Sequence, residues 1–486
     1  MPHVEFLDTT MRDGQQSLWG MRMRAGMALP VSPLIDQTGY RVIDLTGSSM
    51  FECLIKYNFE NPWEGLDLLV RSMPKTPIRG GMRSNASVTF GVTPDALMDV
   101  WMRQLNEHGV RSFWIYDVLF NNDKTKRLAK IAKEYGSEVS GAIMFTLSPV
   151  HGDDYYAQQV KELAASPDVD TILLYDTAGV LEKERLTTLV PAILAQSNNK
   201  PVEFHSNNLL GQSAKAYLDA LDLGVSILHT AVRPMANGPS VPSVEIMAKN
   251  VELLGHTHNL DNSLFRPVAD HFEKVGIAAG FLVNQHSEYD VLSIRHQIPG
   301  GMAGTLKAQL VQHGLSDRLE DVLEETAKVR EELGYPGMAT PFSQLVGTQA
   351  VLNIVTGKRY SSIPDEVIQY AAGFYGTPAG PIDQGIMDQI MSSSRGNQVA
   401  NTPPPQPTVE ELRAEYGIFD DDDELILRAL VPGEGLEKMR SSGAVVKSYP
   451  YLSDPQLEYA AKLMRVVKTP VFQLKTSGLE LYMRKD

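Results

Sequence analysis

Cysteine is nearly missing from this chain: Cys53 is the one thiol in 486 residues. That excludes an internal disulfide framework and any cysteine-built zinc or iron–sulfur centre, and it predicts a reducing, cytoplasmic setting. Basic residues are also short, with 44 Lys and Arg against 59 Asp and Glu and a net charge of -15. Such a balance speaks against nucleic acid or an anionic membrane as partner. No window approaches the roughly 18 uncharged apolar residues of a membrane span. The N-terminus shows no basic segment followed by an apolar export core. No G-x-G-x-x-G follows any strand-like run, which removes the main support for a dinucleotide fold. What these absences leave is chemistry on a small molecule.

Short β-rich apolar runs are plentiful. VEFLDTT, RVIDLTG, PIRGG, SFWIYDV, VSGAIMFTL, TILLYDTAG, PVEFHSN and VSILHTAVRP recur along the first 234 residues. Stretches with apolar residues at three- and four-residue intervals, such as 94–108 and 154–165, separate them. Strand and helix alternating eight times predict a TIM (β/α)8 barrel over 1–300. Residues 316–334 and 344–357 predict an α-rich domain over 301–400. NTPPPQPT (401–408) opens a linker and helical tail over 401–486. The acidic run Asp420 to Glu424 reads as a solvated face.

Active sites of such barrels gather at the C-terminal strand ends. Polar residues fall at the ends of these runs: Asp8 and Asp13, Asp44, Arg79, Asp117, Asp176, His205 with Asn207, and Arg233. The first and seventh strands are near neighbours around a closed rim, so Asp13, His205 and Asn207 form a candidate metal site. A carboxylate, an imidazole and an amide oxygen suit Mg or Mn, with Zn also accommodated. Arg12 is placed to hold a developing enolate oxygen, and Arg79 to grip a carboxylate. A hydrogen-bonded polar plug without metal is the alternative reading.

Longer motifs carry a resemblance. DTTMRDGQQSLWGMRMR, RGG at 79–81, WIYDVLFNN, SPVH, YDTAGVL, FHSNN, TAVRPMANG, HQIPGG and the stretch from VREELGYPGMATPFSQ to SSIPDEV resemble the carboxyltransferase subunits and domains of biotin-dependent enzymes. The resemblance implies carboxyl transfer between carboxybiotin and the enolate of a 2-oxo acid. It also implies a divalent metal (Mn, Mg, Zn or Co) and a homo-oligomer. Residue by residue it implies Asp13 and His205 as metal ligands, Arg12 at the enolate, and Gln16 and Arg79 on the substrate. Three positions depart from the family pattern: Tyr175 stands at its carbamylated lysine, Asn207 at its second histidine, and Gly304 at its proton-relaying hydroxyl residue, with Thr305 next to it. Trp114 stands where relatives commonly have arginine. Asn207 is expected to offer an oxygen ligand, and Tyr175 a hydrogen bond to the enolate oxygen.

No A-M-K-M biotin-attachment sequence and no ATP-grasp domain are seen. The expected partners are therefore a biotin carboxyl carrier protein and a biotin carboxylase on other chains. Two further readings stand beside the carboxyltransferase: a biotin-independent decarboxylase or aldol/Claisen-type lyase, and a catalytically silent scaffold subunit.

Overall fold

The computed structural model describes residues 3–88, 90–300, 302, 310, 315, 317–431, 433–449, 471–475 and 480–484. All eight apolar runs form strands: β1 (Glu5–Asp8), β2 (Val42–Gly47), β3 (Ile78–Arg83), β4 (Ser112–Tyr116), β5 (Glu138–Met144), β6 (Thr171–Asp176), β7 (Val202–Ser206) and β8 (Ile227–Thr230). They lie parallel in chain order, and β8 pairs with β1 to close the barrel. Parallel strands covered by helices are buried on both faces, which is why TILLYD in β6 is apolar nearly throughout and wholly buried. The crossovers are amphipathic helices where the spacing placed them, Asp95–Glu107 and Asp153–Ala164 among them.

Inside the barrel, strand register sets the layers. Arg79, Ser112, Glu138, Thr171 and Glu203 are each the first or second residue of their strand. Met144, Tyr175 and His205 are register partners near the other end. Between these layers Trp114 lies across Gly81, where any Cβ would come within 2.5 Å of the indole. Glycine at 81 is therefore what lets a tryptophan enter the barrel.

Two large apolar clusters dominate the described residues, beside a small one of Ala231, Ala236 and Val241. One joins the barrel to its surrounding helices. The other joins Trp114, Tyr116, Met144, Leu173 and Tyr175 at the barrel mouth to Leu333, Phe342, Val346, Tyr370 and Ile390 of the α-rich region. Helices Leu319–Glu332 and Phe342–Thr356 thus cap the mouth with one continuous core. Arg330 and Gln297 fasten the cap to the end of β5: Arg330 donates to Thr146 Oγ1 and the Leu147 carbonyl (both 2.8 Å), and Gln297 bonds the same two residues.

The tail is helical as expected, and it also packs on the barrel. Leu412, Leu425, Leu430, Leu436 and Met439 belong to the barrel's own cluster, so the tail helices fold back onto the barrel. The acidic run is what secures them. Asp421 caps the helix Asp422–Leu430, Asp422 pairs with Arg413 at 2.7 Å, and Asp423 meets His108 at 2.9 Å while His108 also meets Asp67 at 2.6 Å. No helix among the described residues is long and apolar enough to cross a membrane.

Candidate active site

After β1 the chain passes through a wide helical turn, Thr10–Gly14, of the kind that recurs at functional sites because it pushes side chains out of ordinary helical register. Thr9 Oγ1 accepts from the Asp13 amide at 3.2 Å, and Gly14 lies against the Met235 carbonyl, where a Cβ would sit 2.9 Å from the oxygen. Arg12 and Asp13 are thereby turned inward and buried.

The Arg12 guanidinium is held from several sides. Nε donates to Asp44 at 2.8 Å, and Nη1 lies 3.2 Å from the Tyr175 hydroxyl and 3.5 Å from Asp13. Its carbon stands 5.0 Å above the Trp114 ring, a cation–π contact. Nη2 has no partner among the described residues.

Asp13 is ringed by donors. Asn207 Nδ2 donates at 3.0 Å and Ser240 Oγ at 3.2 Å, while His205 Nε2 lies 3.6 Å away. Burial alone would raise the carboxyl; His205, Arg12 and Asn207 outweigh it and hold it at about 2. The closure of the barrel therefore does bring Asp13, His205 and Asn207 together.

Beyond them a column of rings fills the mouth. Tyr116 stacks on Trp114 (5.0 Å), Trp114 on Tyr175 (4.9 Å) and Tyr175 on His205 (4.2 Å). Burial lifts the Tyr175 phenol far above its usual value, so it is a neutral hydroxyl. Other buried acids at the strand ends are also raised by desolvation, Asp8 to about 7 and Asp176 to about 6.

Several expected roles change. Arg79 is not at the mouth: it lies in the first layer, with Nη1 2.6 Å from Glu203, Nη2 3.2 Å from both Glu203 and Glu138, and Nε 2.8 Å from Ser112. The arginine that reaches the mouth is Arg83, the last residue of β3 and on the same side of the strand, since side chains repeat every second residue. Arg83 Nη2 contacts Ser48 and Ser49 at 3.2 Å, and Nη1 is buried without a partner among the described residues. It lines a water-sized cavity of about 10 Å³ together with Asn85, Tyr116, Phe342 and Tyr375. Sequence reasoning missed it because the run was ended at Gly81, two residues short of the strand.

Asn207 does not offer an oxygen. Its amide nitrogen donates to both Asp13 and the Pro239 carbonyl (2.9 Å), and a reversed amide would set oxygen against two oxygens. The Tyr175 hydroxyl oxygen accepts from Arg12 Nη1 at 3.2 Å, which leaves its own proton to donate. Gln16 is half-buried in the helix Gln15–Trp19, directly after Asp13. Arg233 is exposed. Thr305 and Gly304 lie outside the described residues.

The metal reading is decided by these donors. Asp13 and His205 remain, whereas structural and catalytic Zn or Mn sites take three or four protein ligands. Among the described residues no three His, Cys, Asp or Glu side chains gather as a metal cluster. A guanidinium already stands 3.5 Å from the carboxylate, where a dication would meet like charge. The residues present do not fit the divalent metal that the motifs implied.

Comparison with known proteins closes the identification. A family model described as a conserved carboxylase domain matches residues 294–476. A pyruvate carboxylase subunit of Methanocaldococcus jannaschii is 33% identical, over 99% of this chain and 86% of that protein. The methylmalonyl-CoA carboxyltransferase 5S subunit of Propionibacterium freudenreichii subsp. shermanii is 26% identical over 88% of this chain and 86% of its own length. The 2-oxoglutarate carboxylase large subunit of Hydrogenobacter thermophilus is 29% identical over 87% of this chain and 66% of its own. In fold, the carboxyl transferase domain of Rhizobium etli pyruvate carboxylase superposes with a TM-score of 0.82 at 21% identity, covering 93% of this chain and 80% of that one. A barrel with this mouth, in a chain matched almost end to end by a pyruvate carboxylase subunit, belongs to the carboxyltransferase subunits of biotin-dependent enzymes.

Proposed function

We propose that this subunit moves a carboxyl group between carboxybiotin on a separate carrier chain and a 2-oxo acid of the pyruvate or 2-oxoglutarate kind, using Arg12 as its principal positive charge. The observation that carries this is the Arg12 guanidinium, buried, braced on Asp44 and Trp114, with one nitrogen unpaired. Biotin, when its carrier docks, supplies the nitrogen that bears and releases the carboxyl group. Carboxyl transfer to a 2-oxo acid requires an enolate, and an enolate places charge on an oxygen that was neutral. A fixed guanidinium in a site closed to water stabilises that charge without reorganising. Arg83, with its unpaired Nη1 beside a small cavity, takes the substrate carboxylate in the role that the motifs implied for Arg79. The α-rich cap, fastened by Arg330 and Gln297, excludes water from the step.

The partners of this reading are a biotin carrier and a biotin carboxylase on other chains, with this chain a homo-oligomer. The test is exchange of labelled carboxyl between a carboxylated biotin carrier and pyruvate or 2-oxoglutarate. Carrier-dependent label in the product is expected. Turnover of the oxo acid without carrier would instead establish the lyase reading, and no turnover of any oxo acid with a cognate carrier would establish the scaffold.

A further inference from the structure

Behind the turn that carries Arg12, between the end of β2 and the helices Ala25–Ala28 and Pro62–Ser72, lies a cavity of about 50 Å³. Its floor is apolar, with Met11, Met23, Met50, Leu45 and Leu66 all buried. Two polar side chains stand in that floor, Gln15 and Glu60, only 3% and 7% exposed. Gln15 Oε1 accepts from the Met23 amide at 3.4 Å, and Glu60 Oε1 from the Ala25 amide at 2.8 Å. Their other polar atoms, Gln15 Nε2 and Glu60 Oε2, have no hydrogen-bond partner among the described residues, yet neither is sealed in the interior. They open onto the cavity that their side chains line. The exposed Arg24 stands at its rim. A carboxylate, an amide donor and a guanidinium around an apolar floor complement a molecule that carries an ammonium, a carboxylate and a short hydrocarbon. About 50 Å³ admits roughly two or three carbon atoms beyond the polar end, since a water's share of liquid volume is about 30 Å³. That excludes an aromatic side chain.

We propose that this cavity is an effector site for a small aliphatic α-amino acid of about valine size, and that the bound molecule fixes the turn that presents Arg12. The ammonium group meets Glu60, the carboxylate meets Gln15 Nε2 and Arg24, and the side chain rests on the methionine and leucine floor. The coupling is built into the walls. Met11 is the neighbour of Arg12 in the turn Thr10–Gly14, and Leu45 is the neighbour of Asp44, which braces Arg12 at 2.8 Å. A molecule held against both walls fixes the turn relative to its brace. The effect on turnover rests on the carboxyl-transfer reading, whereas the binding does not.

The probe is L-valine, titrated into the full chain carrying carbon-13 in its methionine methyls. The signals of Met11, Met23 and Met50 are assigned among the 20 methionines by Met11→Leu, Met23→Leu and Met50→Leu. Saturable shifts, largest at those three, are expected. Glu60→Gln keeps an oxygen for the Ala25 amide and loses the charge. Gly65→Ala sets a methyl 3.4 Å from Glu60 Oε1 and 3.5 Å from the Ala25 Cβ, in ordinary contact, and so fills part of the cavity without strain. Each variant is expected to weaken valine by about tenfold or more, as is removal of the ammonium group (isovalerate) or of the carboxylate (isobutylamine) from the probe. Three methyl signals unmoved up to the solubility limit of valine overturn the proposal. So does equal affinity in the parent and both variants, or isovalerate or isobutylamine bound as tightly as valine. Saturating valine is also expected to shift kcat of carboxyl exchange by about fivefold in the parent and not in Gly65→Ala. An unchanged kcat with valine bound overturns the coupling to Arg12. Valine bound by a chain that transfers no carboxyl group overturns the proposed reaction and leaves the site standing, and carboxyl exchange without valine binding does the reverse.

Discussion

The two ends of the barrel interior are built from similar residues and balanced differently. In the first layer Arg79, Ser112, Thr171, Glu203 and His229 leave no buried side-chain polar atom unpaired. At the mouth Arg12 Nη2, Arg83 Nη1, His205 Nε2, Trp114 Nε1 and one oxygen each of Asp8, Asp44 and Asp176 are buried without partners among the described residues. An unpaired buried polar group costs roughly 1–3 kcal/mol. A fold that saturates one end and leaves the other unsaturated keeps its scaffold at the first and its binding capacity at the second.

Cutting the saturated end should have the largest effect on stability. Arg79→Ala leaves Glu203 buried without its counterion, and a loss of about 3–5 kcal/mol is expected in denaturant unfolding. An Arg79→Ala protein of parental stability that has lost only substrate affinity would return Arg79 to the site and break the comparison.

The opposite pattern is expected at the mouth. Arg12→Lys should lower kcat of carboxyl exchange by about 10²–10³, the scale of a lost oxyanion donor, with a far smaller change in stability. Equal damage to stability and turnover would make Arg12 another scaffold residue.

Asp8 sharpens the contrast through pH. Desolvation raises its folded pKa to about 7, while one oxygen still accepts from Thr10. The folded protein therefore holds a proton that the unfolded chain gives up from near pH 4, and stability falls as pH rises between about 4 and 7. Asp8→Asn should be more stable than the parent at pH 8, by about 4 kcal/mol, and near parental at pH 4. Equal stabilities at pH 8 would show that Asp8 ionises without cost.

On the outer wall the His108 clamp is a half-exposed network between Asp67 and Asp423. Its two carboxylates outweigh burial and raise the imidazole to about 8. The contribution is complete below about pH 6.5 and is lost as pH passes 8. Hydrogen exchange in 409–445 should quicken between pH 7 and 9, and His108→Gln should exchange at the faster rate at both, a difference of about 1 kcal/mol. Protection unchanged by pH would place the clamp elsewhere.

The smallest expected effect is that of chelation. Dialysis against EDTA should leave melting temperature and carboxyl exchange unchanged, because Asp13 and His205 make an incomplete donor set. Activity lost to EDTA and restored by Mn or Zn would overturn that reading.

Local pattern made much of this legible. The eight strands could be read because each is a short apolar run bounded by turns, and a closed parallel barrel buries such runs whole. Arg12, Asp13 and His205 were legible because barrel closure makes neighbours of the first and seventh strands. Arg83 was hidden by a strand boundary two residues too early, and strand ends are set by pairing with β4, which local composition does not encode. The tail's acidic run is solvated at Asp420 and Asp421 as its composition implied, and only folding shows that Asp422 and Asp423 also meet Arg413 and His108.

By itself the sequence determined the barrel, the cap and the residue types at the strand ends, because periodicity and strand-end polarity are local properties of the chain. Only the tertiary structure decided how those residues are used. It set Arg79 against Glu203, turned the Asn207 amide by way of the Pro239 carbonyl, and stacked Tyr175 between Trp114 and His205. Each of those outcomes is a contact between residues at least 30 positions apart, and hydrogen-bond direction and charge balance at such contacts exist only once the barrel has closed.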